Sequence, residues 1–313
     1  MSSETNDTPP IETVPPEDHA EALRLLLSHL APSDAAGQVA NLLSAEKTGE
    51  MCLDGLLCVR SGKEISGVIL AQVQPGRTAA MWPPRTSVEM PETVAERLIA
   101  AAFDFLAKRG VRTVQVLLGQ SSGEDESRLK SAGFERLADL LYMVSAADTF
   151  PKSPPRPPIE FEPYRLESHQ RLAAVVEATY RETLDCPALD GARPMDEVLE
   201  GYRETGVFDP DRWLIVRHEG KDIGCLLLAD HPRHDNWELV YMGLTVDARG
   251  HGWGEDIAQH AQWLTNLAGR ARLVVAVDAA NRPAVKMYAA VGFKTWERCT
   301  VYMKVFGGDG CSR

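Results

Sequence analysis

Residues 238–254 read ELVYMGLTVDARGHGWG, and residues 271–293 read ARLVVAVDAANRPAVKMYAAVGF. Within the first stretch, ELVYMGLTVD is rich in β-branched and aromatic residues and has the length of a strand. EDIAQHAQWLTNLAG (255–269) follows, with Ile257, Ala261, Leu264 and Ala268 at helical spacing and a glycine at its end. Gly250, Gly252 and Gly254 therefore stand where a strand turns directly into a helix. Glycine lets the backbone bend sharply and lets a ligand approach the main chain closely. The first N–H groups of a helix have no internal partner and carry the positive end of its dipole, which makes this turn a phosphate cradle. Its G-x-G-x-G spacing is not the G-x-G-x-x-G of dinucleotide folds, and the ribose-binding acid expected about 20 residues on is missing. No Gly-Lys-Ser/Thr follows, which excludes a Walker loop.

The second stretch decides which cradle this is. ARLVVAVD (271–278) reads as a buried, β-branched strand, and Asn281-Arg282-Pro283 opens a helix with proline in its first turn. AVKMYAAVGF (284–293) then ends on Gly292-Phe293. The run R-x-x-G-x-G from Arg249 to Gly254 resembles the pyrophosphate loop of the GNAT acetyltransferases. An Asn shortly after a strand, then a helix carrying Tyr288 before a G-F step, resembles the second signature of the same family.

That resemblance implies a site. The loop amides of Arg249, Gly250, His251, Gly252, Trp253 and Gly254 would take the pyrophosphate of acetyl-CoA, with Arg249 adding charge. Backbone groups near Leu244 and Val246 would pair with the pantetheine arm as an extra strand, and Asn281 would bond to the coenzyme. Tyr288 is the general acid for the departing thiolate, since a phenol with a pKa of about 10 is protonated at neutral pH. Glu238, eleven residues before Arg249, is the general base; burial raises a carboxyl's affinity for a proton, which suits a base acting through water. By strand alternation Glu238 shares a face with Val240, Met242, Leu244 and Val246 if no bulge intervenes.

Each residue also has a blander reading. Arg249 can be a solvated arginine at a helix start, Tyr288 a core aromatic, Asn281 a helix cap and Glu238 a surface glutamate at a strand end. His231, His234 and Asp235 are second choices for the base. HPRHD lacks a third ligand at convincing spacing, so no metal is expected.

The 313 residues suffice for two domains, and 44% apolar with 25% charged residues is the profile of a soluble globular protein. With 33 basic and 45 acidic residues the net charge is −12, which disfavours nucleic acid or an anionic membrane as partner and is compatible with an amine-bearing acceptor. Cys52, Cys58, Cys186, Cys225, Cys299 and Cys311 form no C-x-x-C and read as reduced thiols of a cytoplasmic protein. No apolar run reaches the ~18 residues of a membrane span, and the polar N-terminus is not a signal peptide.

Residues 1–16 read as a mobile lead in which PIETV forms a short edge strand. Two amphipathic helices, a hairpin turning at Ser61-Gly62-Lys63, a strand, a helix from Pro91 to Gly110, a strand, a helix ending in Gly133-Phe134 and a last strand follow. FPKSPPRPP (150–158) holds five prolines and reads as an extended linker. The second half then repeats the order of the first. Gly133-Phe134 against Gly292-Phe293 gives an offset of 159, which sets Arg249, Gly252 and Gly254 opposite Met90, Thr93 and Ala95, and Tyr288 opposite Leu129. The expectation is an α/β (α+β) chain with a tandem GNAT fold, each copy a mixed, mostly antiparallel sheet flanked by helices. Residues 1–149 form a degenerate copy without the pyrophosphate loop, 150–158 the linker and 159–308 the acetyltransferase domain.

The function implied by the resemblance is direct acetyl transfer from acetyl-CoA to an amine of a small molecule or peptide. No cysteine occupies a nucleophile position, which argues against a ping-pong route. The alternatives are a non-catalytic acyl-CoA-binding or regulatory module, and a tandem enzyme resembling mycothiol synthases. Glu182, Asp185 and Asp190 in segment 165–206 have two readings, as acids that meet a cationic amine or as solvent-facing residues, and the second is the expectation. A homodimer is left open.

Overall fold

The computed structural model describes residues 9–88, 90–119, 123–185 and 194–306. The chain forms two compact units, one of residues 1–136 with 301–313 and the other of residues 137–300. The division therefore does not fall at the proline run 150–158.

In the first unit β1 (Ile11–Thr13), β2 (Leu56–Ser61), β3 (Glu64–Gln74) and β4 (Thr78–Thr86) are antiparallel neighbours in that order. Next to β4 lies β5 (Thr113–Leu118), parallel to it, with pairing from Thr78↔Thr113 to Ala80↔Gln115. Helices α1 (His19–Leu26) and α2 (Pro32–Lys47) contribute to one core with Val68 and Leu70, whereas α3 (Glu92–Ala107) and α4 (Gly123–Ser131) contribute to another with Ile69 and Ala71. Alternate residues of β3 thus enter opposite cores, which is why EISGVILAQ is almost continuously apolar. Pro91 caps α3, where the missing N–H costs nothing, and Gly110 ends it at φ +71°.

The second unit repeats this plan. Strands β7 (Glu160–Pro163), β8 (Trp213–His218), β9 (Lys221–His231) and β10 (Asn236–Leu244) are antiparallel in order, and β11 (Arg272–Asp278) is parallel to β10. Helices α5 (His169–Tyr180) and α6 (Met195–Arg203) share a core with Ile215, Cys225 and Leu227. Helices α7 (Trp253–Leu267) and α8 (Arg282–Ala290) share the other with Leu226, Leu228 and Val275. Leu226, Leu227 and Leu228 are fully buried, each contributing roughly 1.5–3 kcal/mol of transfer free energy.

The sheet of the second unit gains its sixth strand from the first half of the sequence. β6 (Glu135–Ala146) pairs antiparallel with β11 from Leu140↔Asp278 to Ala146↔Arg272, and Met143 enters the core beside α7. Conversely, β12 (Lys294–Val305) leaves the second unit at Thr300, and Tyr302 is buried in the first unit's core. The elements after the glycine turns keep one offset: α4 from Gly123 to Ser131 matches α8 from Arg282 to Ala290, and β6 matches β12. No helix among the described residues is long and apolar enough to cross a membrane.

Candidate active site

β10 and β11 pair in parallel only from Asn236↔Arg272 to Leu239↔Val275, although both strands run on. Beyond that point they part, and a cavity of about 500 Å3 opens between them. Gly243 is part of one wall. A Cβ on Gly224 would meet the Gly243 carbonyl, so Gly243 turns its main chain toward β9. By alternation the main-chain groups of Met242 and Leu244 face the cleft, an exposed strand edge. The Leu244 carbonyl is already taken by Arg249 Nε at 3.1 Å, which leaves the Leu244 N–H and both Met242 groups.

At the end of β10 the chain does not stay extended. Val246 begins a 3-10 turn (Val246–Ala248), its carbonyl accepts the Arg249 N–H, and its side chain is exposed. Val246 is therefore not on the cleft wall, which corrects the expected pairing position. Gly250 and Gly252 adopt φ of +83° and +84°, a left-handed conformation that side chains disfavour, and a Cβ at either would meet open space. Gly252 caps α7 with no side-chain cap bond, so the first turn of the helix is left without a side-chain partner for its amides. The helix starts at Trp253, two residues earlier than its periodicity predicts. Gly250, Gly252 and Gly254 line the cavity, whereas His251 and Trp253 stack on each other outside it, 4.6 Å between centroids.

Arg249 is turned inward. Its guanidinium donates to the carbonyls of Glu182 (2.9 Å), Thr179 (2.9 Å) and Arg181 (2.8 Å) as well as Leu244, capping the C-terminal end of α5. This fits neither a solvated arginine nor a side chain aimed at a ligand: it ties the glycine loop to α5.

Tyr288 sits on α8, 4% exposed, with its ring against Phe293 and its side chain lining the cavity. Its hydroxyl has no protein hydrogen-bond partner among the described residues. Burial, and then the charge of Asp185, push the phenol above its ordinary pKa, so it stays protonated. Asn281 caps α8 by accepting the Ala284 N–H at 3.3 Å and also lines the cavity.

Asp185 corrects the sequence reading. It lines the cavity instead of facing solvent, and its Oδ1 accepts the N–H of Asp278 at 2.9 Å. Burial holds its carboxyl above the usual range, partly offset by that amide and reinforced by the Asp278 charge. Tyr241 also lines the cleft, its hydroxyl 2.8 Å from Thr179 Oγ1 and its ring stacked on Tyr202. Alternation along β10 would have found Tyr241 had the bulge been foreseen. Glu182 lies at the cavity rim; Asp190, Cys186 and Cys311 fall outside the described residues.

Glu238 stands apart. The β9–β10 register slips between Leu239 and Tyr241, leaving Val240 as the extra residue of a bulge. Leu239, Met242 and Leu244 consequently pack toward α7, and Glu238 lies on the opposite face with Asn236, which overturns the unbroken alternation. There it lines a groove of about 550 Å3 whose wall residues Val275 and Ala276 also line the cleft. His231 Nε2 is 2.9 Å from Glu238 Oε2, an ion-pair contact without hydrogen-bond alignment. His234 lines the same groove, while Asp235 forms a left-handed turn at φ 49°. Among the described residues no group of three His, Cys, Asp or Glu side chains is placed to hold a metal ion.

The site lies in a segment that resembles known proteins. Residues 176–293 match the acetyltransferase (GNAT) family model. A mycothiol acetyltransferase of Pseudarthrobacter chlorophenolicus is 24% identical over 260 residues, covering 79% of this chain and 77% of that protein. One from Streptomyces bingchenggensis is 32% identical over 97 residues, 30% of this chain and only 31% of that relative's length. A GCN5-related N-acetyltransferase from Sphaerobacter thermophilus has the same fold, with TM-score 0.67, 18% identity and 96% of both chains covered. A tandem GNAT protein from the clavulanic acid biosynthesis pathway superposes with TM-score 0.52 and 16% identity over 96% of this chain and all of that one (100%). Glycine loop, parted parallel strands and Tyr-bearing helix all lie within the matched segment, which is similar to the GNAT acetyltransferase family.

Proposed function

We propose that this chain is an acetyl-CoA-dependent N-acetyltransferase whose second unit carries one active site. The observation that carries the reading is the cleft where β10 and β11 part, closed at one end by the left-handed glycines of the α7 turn. The amides of the loop and of the first turn of α7 would hold the pyrophosphate of the substrate acetyl-CoA. Its pantetheine arm would pair with Met242 and Leu244, and Arg249 would serve by fixing the loop, with its charge directed at α5.

Chemistry then divides between two walls. Glu238, reached from the groove side, would draw the proton from the acceptor ammonium, with His231 2.9 Å away to take up the charge change. The freed amine attacks the thioester carbon, and the carbon–sulfur bond breaks. Tyr288 gives its proton to the leaving sulfur and regains one from the nitrogen, so the phenol ends as it began. A phenol raised by burial remains a donor throughout the neutral range.

Calorimetric titration of acetyl-CoA into the full chain should give one site per chain. Tyr288→Phe should lower kcat by roughly 10²–10⁴-fold, with acetyl-CoA affinity within about twofold. Glu238→Gln should lower kcat comparably, again with acetyl-CoA affinity within about twofold. Binding without any turnover would favour a non-catalytic acyl-CoA-binding module, and absence of binding would remove the enzyme reading. A mycothiol-synthase-like acceptor is the second reading, supported by the relative that aligns over both units.

A further inference from the structure

The groove on the far face of the second unit's sheet is built mostly by residues that the coenzyme cleft does not use, and it shares Val275 and Ala276 with the cleft. Tyr142 and Val144 come from β6, Asn236 and Glu238 from β10, Arg272, Val274 and Ala276 from β11, and Trp296 from β12. Register places them on one face: Val274 pairs with Val144 on one side and Glu238 on the other, and Ala276 pairs with Tyr142. Leu273, Val275 and Val277 point the other way, into the core beside α7.

Three observations give the groove a direction. It meets the cleft at Val275 and Ala276, so a molecule lying in it has one end where the two strands part. At that end Tyr142 and Trp296 form an aromatic wall, ring centroids 5.9 Å apart, and Trp296 is 51% exposed. An indole so exposed inside a concave site is a surface for a ligand ring. At the other end stands Arg272, whose guanidinium donates to the His234 carbonyl and has further N–H groups to offer. From Ala276 to Arg272 is about 13 Å at 3.3 Å per strand residue.

We infer that the acceptor lies along this groove as a ring-bearing monoamine, its nitrogen toward Glu238 and the cleft, its ring on Tyr142 and Trp296, and its hydroxylated or anionic far end at Arg272. The assignment rests on the acetyltransferase reading. Charge sorts the acceptors. Among the described residues Glu238 is the one carboxylate lining the groove, and Arg272 lies two strand residues, about 7 Å, beyond the Glu238–Val274 pair, so a second ammonium there would meet a cation and linear polyamines are disfavoured. Specificity then comes from β6 and β12, and one aromatic of the platform is encoded in the first half of the sequence.

The test follows coenzyme A release by the full chain with three probes: 4-(2-aminoethyl)benzoate, tyramine and spermidine. Both ring amines should be acetylated in preference to spermidine, the benzoate best at low salt. Trp296→Ala and Tyr142→Leu should each raise the KM for the ring amines roughly tenfold and leave the KM for acetyl-CoA within about twofold. Trp296 is half exposed, so its removal leaves the fold intact; Arg272→Met, also on the surface, should abolish the preference for benzoate over tyramine. Preference for spermidine overturns the proposal, as does a ring-amine KM unmoved by Trp296→Ala. Bound acetyl-CoA with neither ring amine turned over also overturns it while sparing the acetyltransferase reading, whereas failure to bind acetyl-CoA removes both.

Discussion

Leu244 at the end of β10 and Ala284 in the first turn of α8 line the open cleft of the second unit. At the shared offset the first unit has Arg85 at the end of β4 and Asp125 in the first turn of α4, joined by two hydrogen bonds of 2.7 and 2.8 Å. Both units have a parallel pair that parts after a few residues, β4 and β5 after Ala80↔Gln115, β10 and β11 after Leu239↔Val275. One pair opens onto small and apolar side chains; the other has a bidentate ion pair at the corresponding positions, and its helix begins at a proline cap without the glycine turn. The difference teaches that parted strands leave polar edges that something must cover, whether or not a glycine loop follows them.

Removing a strand is the harshest way to break this comparison. A 156–313 fragment lacks β6, with its seven register pairs on β11, and loses Met143 and Phe150 from a core in which they are 2% and 4% exposed. Thermal denaturation followed by circular dichroism should show no cooperative transition, while a 137–313 fragment should unfold cooperatively and bind acetyl-CoA. If the shorter fragment melts sharply, β6 is not integral to the second unit.

Grafting the ion pair comes next. Leu244→Arg with Ala284→Asp should cut acetyl-CoA affinity by roughly 100-fold or more with little loss of stability, read by calorimetry. The reverse exchange, Arg85→Leu with Asp125→Ala, should leave the stoichiometry at one, since the first unit still lacks the left-handed glycines. Arg85→Ala alone should destabilise the chain by about 3 kcal/mol in chemical denaturation, because Asp125 stays buried. Arg128, 3.6 Å from Asp125, keeps the cost at the lower end of that range.

The smallest effect concerns pH. His260 on α7 stacks face to face on Phe161, and burial pulls its pKa from 6.5 down to about 4. The folded state therefore prefers the neutral ring: this stabilisation is complete above about pH 6.5 and is lost as pH falls toward 4. His260→Phe should flatten the fall in Tm between those values relative to the parent chain. The counterpart position in the first unit is Ala101, so no matching term arises there.

Local signals in the sequence reached most of the elements and the glycine loop, because strand length, helical spacing, proline starts and glycine ends act over a few residues. They also reached Tyr288 and Asn281, whose place follows from the short α8. What escaped depends on partners far along the chain. Val240 carries no mark of the bulge that turns Glu238 to the groove. Arg249 finds four carbonyls, three of them more than 65 residues away, a choice no spacing encodes. Asp185 reads as a loop acid until Asp278 and Tyr288 are seen beside it. The proline run looked like a boundary, yet compactness follows contacts, and β6 and β12 are strands of equal length after equal G-F steps. Nothing local tells either which sheet to join.

That exchange has a consequence on the ribosome. The first unit owns residues from Val301 onward, and Tyr302 is among the largest side chains it buries. It cannot finish its core during the translation of its own half, so it must wait as an incomplete sheet while the second half is made. The half without the glycine turn is begun first and sealed last, so its closing strand arrives only after the elements of the second unit have been synthesised.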